Sequence, residues 1–293
     1  MSVSLRITAI KALAPVLTAA ALFHAYFFTP LLFWPLVALL ISTTALTAHS
    51  PMAVARRMTF LAHAQSHTVL TAALLAALAV GILGVSLASP VYVVLVLLLV
   101  AVLNLSVLAA VRLGFREDVA TGVVMSLQLS AAVALLTVLR SFFPTVDPLA
   151  VITGEYIFVS MGDVVALAPF VATSLLFPLF FHMRYLYVAL DEHYARALGM
   201  RVGLYDLFFL FSMSTAVAGG VYTLGALIPS VLLVVPGAAA SRHSDRLTDQ
   251  LPLSISIGLS SGAIAHFLYA TAPWLWPNAA LGAALVLFLL AKK

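Results

Sequence analysis

The sequence predicts an all-α, polytopic membrane protein of about ten apolar spans, with both termini on the cytoplasmic side. Three observations carry that prediction. Of 293 residues, 64% are hydrophobic and 8% charged, and the mean hydropathy is +1.17; no water-soluble fold needs so much apolar surface. Apolar segments follow one another with short connections, at lengths that cross a hydrocarbon core of about 30 Å as helices. Lys and Arg then sort to one side of the resulting topology.

In chain order the segments fall at 8–28, 31–54, 58–84, 88–112, 118–141, 163–189, 204–223, 225–241, 251–270 and 274–291. They are too long for the alternating strands of an outer-membrane barrel. Residues 1–28 have the outline of a signal peptide, with Arg6 and Lys11 ahead of an apolar run. The run continues past Pro30 without a clear cleavage signal, so a retained first span is expected. Only Thr29 and Pro30 separate it from the second. The eighth segment holds Pro229, Pro236 and Gly237, and a broken span is expected there, because proline removes a backbone donor. Broken spans line cavities in some transporters and pack normally in others.

If the N-terminus is cytoplasmic and all ten segments cross, Arg6, Lys11, Arg56, Arg57, Arg112, Arg116, Arg184, Arg196, Arg201, Arg242, Arg246, Lys292 and Lys293 lie at the inner side. Only Arg140 lies outside. Removing one crossing scrambles the pattern. The net charge of +4 is therefore spread over span ends and is no nucleic-acid footprint. Cysteine is absent, which excludes disulfides and thiolate ligands. No Gly-x-x-x-x-Gly-Lys-Ser/Thr loop occurs, so ATP is not bound by that route. A motor, if there is one, is another polypeptide.

The third segment carries the chemistry. After Arg56 and Arg57, which cannot sit in lipid, Thr59, His63, His67 and Thr71 form a polar stripe at i, i+4 spacing. At about 1.5 Å per residue the histidines lie roughly 9 and 15 Å beyond Arg57, near mid-membrane. Ionisable residues at that depth mark pathways or sites, and paired imidazoles suit a late transition metal. Helix-packing histidines are the competing account, and the residues alone leave the two about even. The His-x-x-x-His spacing also suits an intramembrane metalloprotease, but Ala64 stands where that chemistry needs a Glu base.

The inner loop from Asp191 to Gly203 predicts a two-turn helix outside the bilayer. Asp191 is a good N-cap, Glu192 complements the helix dipole, and Gly199 is a natural C′ residue. Its small residues Ala195, Ala197 and Gly199 offer close approach to another protein. The outer loop, 141–162, holds Asp147 and Glu155, with Asp163 just after it.

Taken together, these stretches resemble the ABC-transporter permeases for zinc, manganese and related metals. Arg56-Arg57-Met58-Thr59-Phe60 with Ser66-His67 is similar to that family's span entry. Asp191-Glu192-x-x-Ala195-x-x-x-Gly199 resembles its coupling helix, and the run from Gly225 to Ala240 resembles its span ending in Pro-(Ala/Gly)-Ala. Gly154-Glu155 and Val159-Ser160-x-x-Asp163 echo its outer loop less specifically. The likeness covers residues 31–293 and leaves 1–30 as an extra N-terminal span.

The resemblance implies a plasma-membrane permease subunit of an ATP-driven importer, not itself an enzyme and with no resident cofactor. It implies a metal-ligand role for His67, and for His63 by position only, since the family usually has Asp there. Two imidazoles favour zinc ahead of manganese. His266 is a further candidate ligand, although packing accounts for it better, and Glu155 is an outlying one. Asp191, Glu192, Ala195 and Gly199 are the implied ATPase-coupling residues. The implied partners are a cytoplasmic ABC ATPase dimer, a second permease copy and an extracytoplasmic metal-binding protein. A permease for metal chelates, siderophore or cobalamin type, is the alternative; it needs a wide cavity and no direct metal ligands.

Overall fold

The computed structural model describes residues 3–85, 90–142, 159–225, 228–275 and 277–291. The described residues are helical, in the order α1 (Val3–Phe28), a short 3-10 turn (Pro30–Leu32), α2 (Phe33–Ala55), α3 (Thr59–Ile82), α4 (Pro90–Arg112), α5 (Glu117–Phe142), α6 (Met161–Leu190), α7 (Glu192–Ala197), α8 (Val202–Leu224), α9 (Ile228–His243), α10 (Leu247–Thr271) and α11 (Pro277–Leu290). Eight of them are long and apolar enough to cross a membrane; α9, with 16 residues, and α11, with 14, are shorter. The ten apolar segments thus become eight full-length spans and two short helices, in a polytopic helical membrane protein.

Helix α2 is the centre, packed by α6, α8, α9 and α10. The residues that put it there are small and polar: Ser42, Thr43, Thr47, Ala48, His49 and Ser50 are all buried. Membrane helices gain little from greasy contact with one another, so small residues and hydrogen bonds set their interfaces. Helix α3 packs against α4, α5, α8 and α9. Helix α1 lies against α10, tied by Lys11 Nζ to Asp249 at 2.7 Å near one end and by His24 to His266 near the other. Residue numbers rise together along both, so the two helices run parallel.

Helices α2 and α9 approach backbone to backbone. A Cβ built on Gly237 falls 2.5 Å from the backbone carbon and oxygen of Ser50, and the Ser50 hydroxyl accepts from the Gly237 amide at 2.7 Å. The break expected in this segment does not occur: α9 runs continuously through Pro236. Pro229 stands in its first turn, where the missing amide has no intrahelical partner to lose. The interruption lies just before it, at Gly225, which ends α8 with φ 74°.

Candidate metal site and coupling end

The orientation of α3 is set by its polar back. Gln65 donates to Asn104 Oδ1 of α4 at 2.8 Å, Asn104 donates to Ser214 of α8 at 2.7 Å, and Ser214 lies 2.6 Å from Gln65 Oε1. One turn on, Thr68 donates to Gln128 Oε1 of α5 at 2.8 Å and Thr71 to the Gln128 carbonyl at 2.9 Å. All of these side chains are buried. At about 100° per residue, Gln65 points nearly opposite to positions 63 and 67. Holding Gln65 inside therefore turns both histidines outward.

His63 is exposed and His67 half-buried. Their rings lie 5.4 Å apart at 77°, one turn above the other. Among the described residues no group of three or more His, Asp or Glu side chains has metal-binding geometry, so at most two donors come together at this place. His266 is not beside them. It is buried in α10, with Nε2 3.2 Å from His24 Nδ1, and both rings meet Phe267. Glu155 lies outside the described residues. Asp163, at the outer end, closes a capping box with Ser160 at the start of α6.

Because the polar ring behind α3 holds the pair in place, it makes a prediction. Asn104→Leu leaves Gln65 and Ser214 buried with a partner missing. A buried orphan costs about 1–3 kcal/mol in water-soluble folds, and interhelical bonds in membranes average nearer 0.6 kcal/mol. We expect about 1 kcal/mol, read as a lowered thermal midpoint in detergent, with Asn104→Gln falling between the two.

A second cluster of polar side chains lies at the end of the bundle where α2, α6, α7 and α8 meet. Asp191 caps α7 by accepting from the Tyr194 amide at 2.9 Å, and Gly199 follows with φ 81°. Glu192 accepts from Arg56 Nη2 at 2.9 Å and from Arg196. Arg56 also donates to Asp206 at 3.1 Å, and Tyr185 donates to the same carboxylate at 2.7 Å. The Arg56 hydrogen bond holds the Glu192 carboxyl below its ordinary range. A depressed carboxylate contributes stability above its unfolded pKa, about 4.3, and loses it as pH falls through the folded value; the pair is intact at neutral pH. Burial disfavours the charge on Arg56, but its bonds to Asp206 and Glu192 outweigh that and raise its pKa.

Ala195 departs from expectation. It is fully buried against its own chain, so of the small residues only Ala197 and Gly199 are exposed. The reason is that α7 has two turns and must anchor one side to α6 and α8.

With this geometry in place, comparison identifies the family. The sequence model of the ABC 3 transport family matches residues 29–291. This chain belongs to that family, which comprises metal and metal-chelate ABC transporter permeases. Helix α1 precedes the matched range. Among its relatives, a "Probable metal transport system membrane protein" of Chlamydia pneumoniae is 32% identical over 35% of this chain and 23% of its own length. The chelated iron transport system membrane protein YfeC of Yersinia pestis is 28% identical over 52% of this chain and 51% of its own. The chain thus spans about a quarter to about a half of the length of these relatives. In fold, the chain is similar to PsaBC from Streptococcus pneumoniae, solved in complex with Fab, with a TM-score of 0.76 at 19% identity over 93% of this chain and 94% of that one.

Several residues lie beyond sequence reasoning. Gln65, Asn104 and Ser214 sit on three separate helices, and no local pattern links them. His49 gave no sign of a site, yet it is fully buried in α2, with Nδ1 donating to the Ala45 carbonyl at 2.7 Å and Nε2 2.8 Å from Ser212. Asp206, which accepts from both Arg56 and Tyr185, belongs to no motif; an acid inside an apolar span is the signal the sequence offers for it.

Proposed function

We propose that this chain is the permease subunit of an ATP-driven importer for a divalent transition metal, zinc ahead of manganese, with His63 and His67 as ligands along the path. The observation that carries the reading is the outward-facing imidazole pair on a helix whose back is fixed by buried hydrogen bonds. A bare divalent ion in hydrocarbon costs on the order of tens of kcal/mol. Two donors relieve that without the closed four-ligand shell of a structural zinc site, which suits a cargo that must leave again.

An exposed imidazole at membrane depth needs something other than lipid against it. A second copy of the chain, bringing its own pair to the same face, supplies both cover and further donors. A separate ATPase dimer docks at α7, through exposed residues that include Asp191, Ala197 and Gly199. An extracytoplasmic binding protein delivers the metal.

The name of YfeC, with its chelated iron, supports a second reading in which the cargo is a metal chelate. Metal-dependent ATP hydrolysis by the complex reconstituted in proteoliposomes separates the two. The free-ion reading predicts stimulation by zinc, weaker stimulation by manganese, and loss of both in the His63→Ala/His67→Ala variant. Stimulation only by chelates, unaffected by that double change, contradicts it.

A further inference from the structure

The ion cluster at Arg56 sits between the two parts of the molecule that transport must connect. Arg56 caps the C-terminus of α2 and is three residues ahead of the start of α3. Its Nη2 donates to Glu192 in the first turn of α7 at 2.9 Å and to Asp206 near the start of α8 at 3.1 Å, and its Nε donates to Asp206 at 3.4 Å. Tyr185 of α6 joins from the side, its hydroxyl 2.7 Å from Asp206 and 3.6 Å from the sulfur of Met58. Four helices and the α2–α3 turn therefore converge on one side chain, only 14% exposed.

The turn itself is stiff. Arg57 has φ 59°, and no other non-glycine among the described residues has positive φ. Met58 donates its amide to the Ala53 carbonyl at 2.9 Å, and Ala62 donates to Met58 at 2.8 Å, so α3 continues from the turn without slack. Left-handed backbone at a side-chain-bearing residue persists only where the surroundings impose it. A push on α7 thus reaches α3 through Arg56 and a rigid turn, and His63 is one to two helical turns further on.

We propose that Arg56 is the positioning residue that couples α7 to the metal-bearing helix, so that the two move as one body. This rests on the proposed function, in that the motor acts at α7. The guanidinium suits the task because its fixed fork engages two carboxylates in different directions at once, which a lysine ammonium does not reproduce. Helix α7 packs mainly against α6 and α8, and Arg56 ties it directly to the α2–α3 turn.

The test uses the whole reconstituted complex with Arg56→Gln, Arg56→Lys and Asp206→Asn. Two quantities are read: zinc taken up per ATP hydrolysed, and the distance between spin labels at His193→Cys and Phe60→Cys. The chain has no native cysteine, so each copy of it carries these two labels alone, and mixing labelled with unlabelled chain isolates the distance within one copy. Expected is a fall of tenfold or more in zinc per ATP for Arg56→Gln with hydrolysis continuing, partial rescue by Arg56→Lys, and a smaller fall for Asp206→Asn. The label distance stays in one narrow population through the ATP cycle in the otherwise unchanged chain and broadens in Arg56→Gln. A zinc-to-ATP ratio unchanged in folded Arg56→Gln overturns the proposal. So does uptake and hydrolysis falling in step with thermal stability, which marks Arg56 as structural only. If the unsubstituted complex shows no zinc-dependent hydrolysis, the reading beneath fails, and the proposal with it.

Discussion

Replacing His63 and His67 together with alanine reduces zinc uptake to the background of empty vesicles, while the amount of protein in the membrane and its thermal midpoint stay unchanged. The separation of the two readouts follows from position. His63 is exposed and His67 half-buried, and the hydrogen bonds that orient α3 are made by Gln65, Thr68 and Thr71 on its other faces. Removing the rings takes away the donors and leaves the framework standing. The size of the effect comes from desolvation. Weakening groups that merely orient a metal ligand typically costs 10- to 100-fold, so losing both ligands should exceed roughly 100-fold, with single variants in between. Uptake that survives the double change points instead to a chelated cargo.

Gly237→Ala has the opposite profile, a loss of the folded protein rather than of the path. Inside a helix this exchange is normally favourable by about 0.5–1 kcal/mol. Here the added methyl lands 2.5 Å from Ser50 backbone atoms, which cannot rotate away as a side chain can. Overpacking of this kind costs about 1–3 kcal/mol, at times more, and separating the helices also weakens the Ser50 bond to the Gly237 amide. The expected net result is a loss of about 2 kcal/mol, a thermal midpoint lower by roughly 5 °C, and less protein in the membrane. Gly282→Ala in α11 is the control, because a Cβ there meets nothing within 4 Å. If both variants are equally stable, α2 and α9 do not approach as described.

These two residues also show how far the sequence could be read. The apolar runs and the sorting of Lys and Arg gave helix positions within a few residues, because lipid demands long uninterrupted segments and charge at their ends. The histidine pair was visible because i, i+4 spacing is local. What forces Gly237 to be glycine was not visible, since Ser50 lies 187 residues away. The ring of Gln65, Asn104 and Ser214 was hidden for the same reason, and it decides which way the histidines face. Ala195 read as a surface residue because a small side chain suits both a docking face and a tight internal contact, and burial chose the second. Pro236 read as a break, but α9 continues through it in the company of α2.

The central claim is that a metal in transit is held by imidazole nitrogen from α3. X-ray absorption at the zinc edge of the loaded, nucleotide-free complex tests it most directly. The account predicts nitrogen scatterers at about 2.0–2.1 Å with imidazole outer-shell features, lost when His63 and His67 are both alanine. A zinc shell of the same composition in both proteins contradicts it.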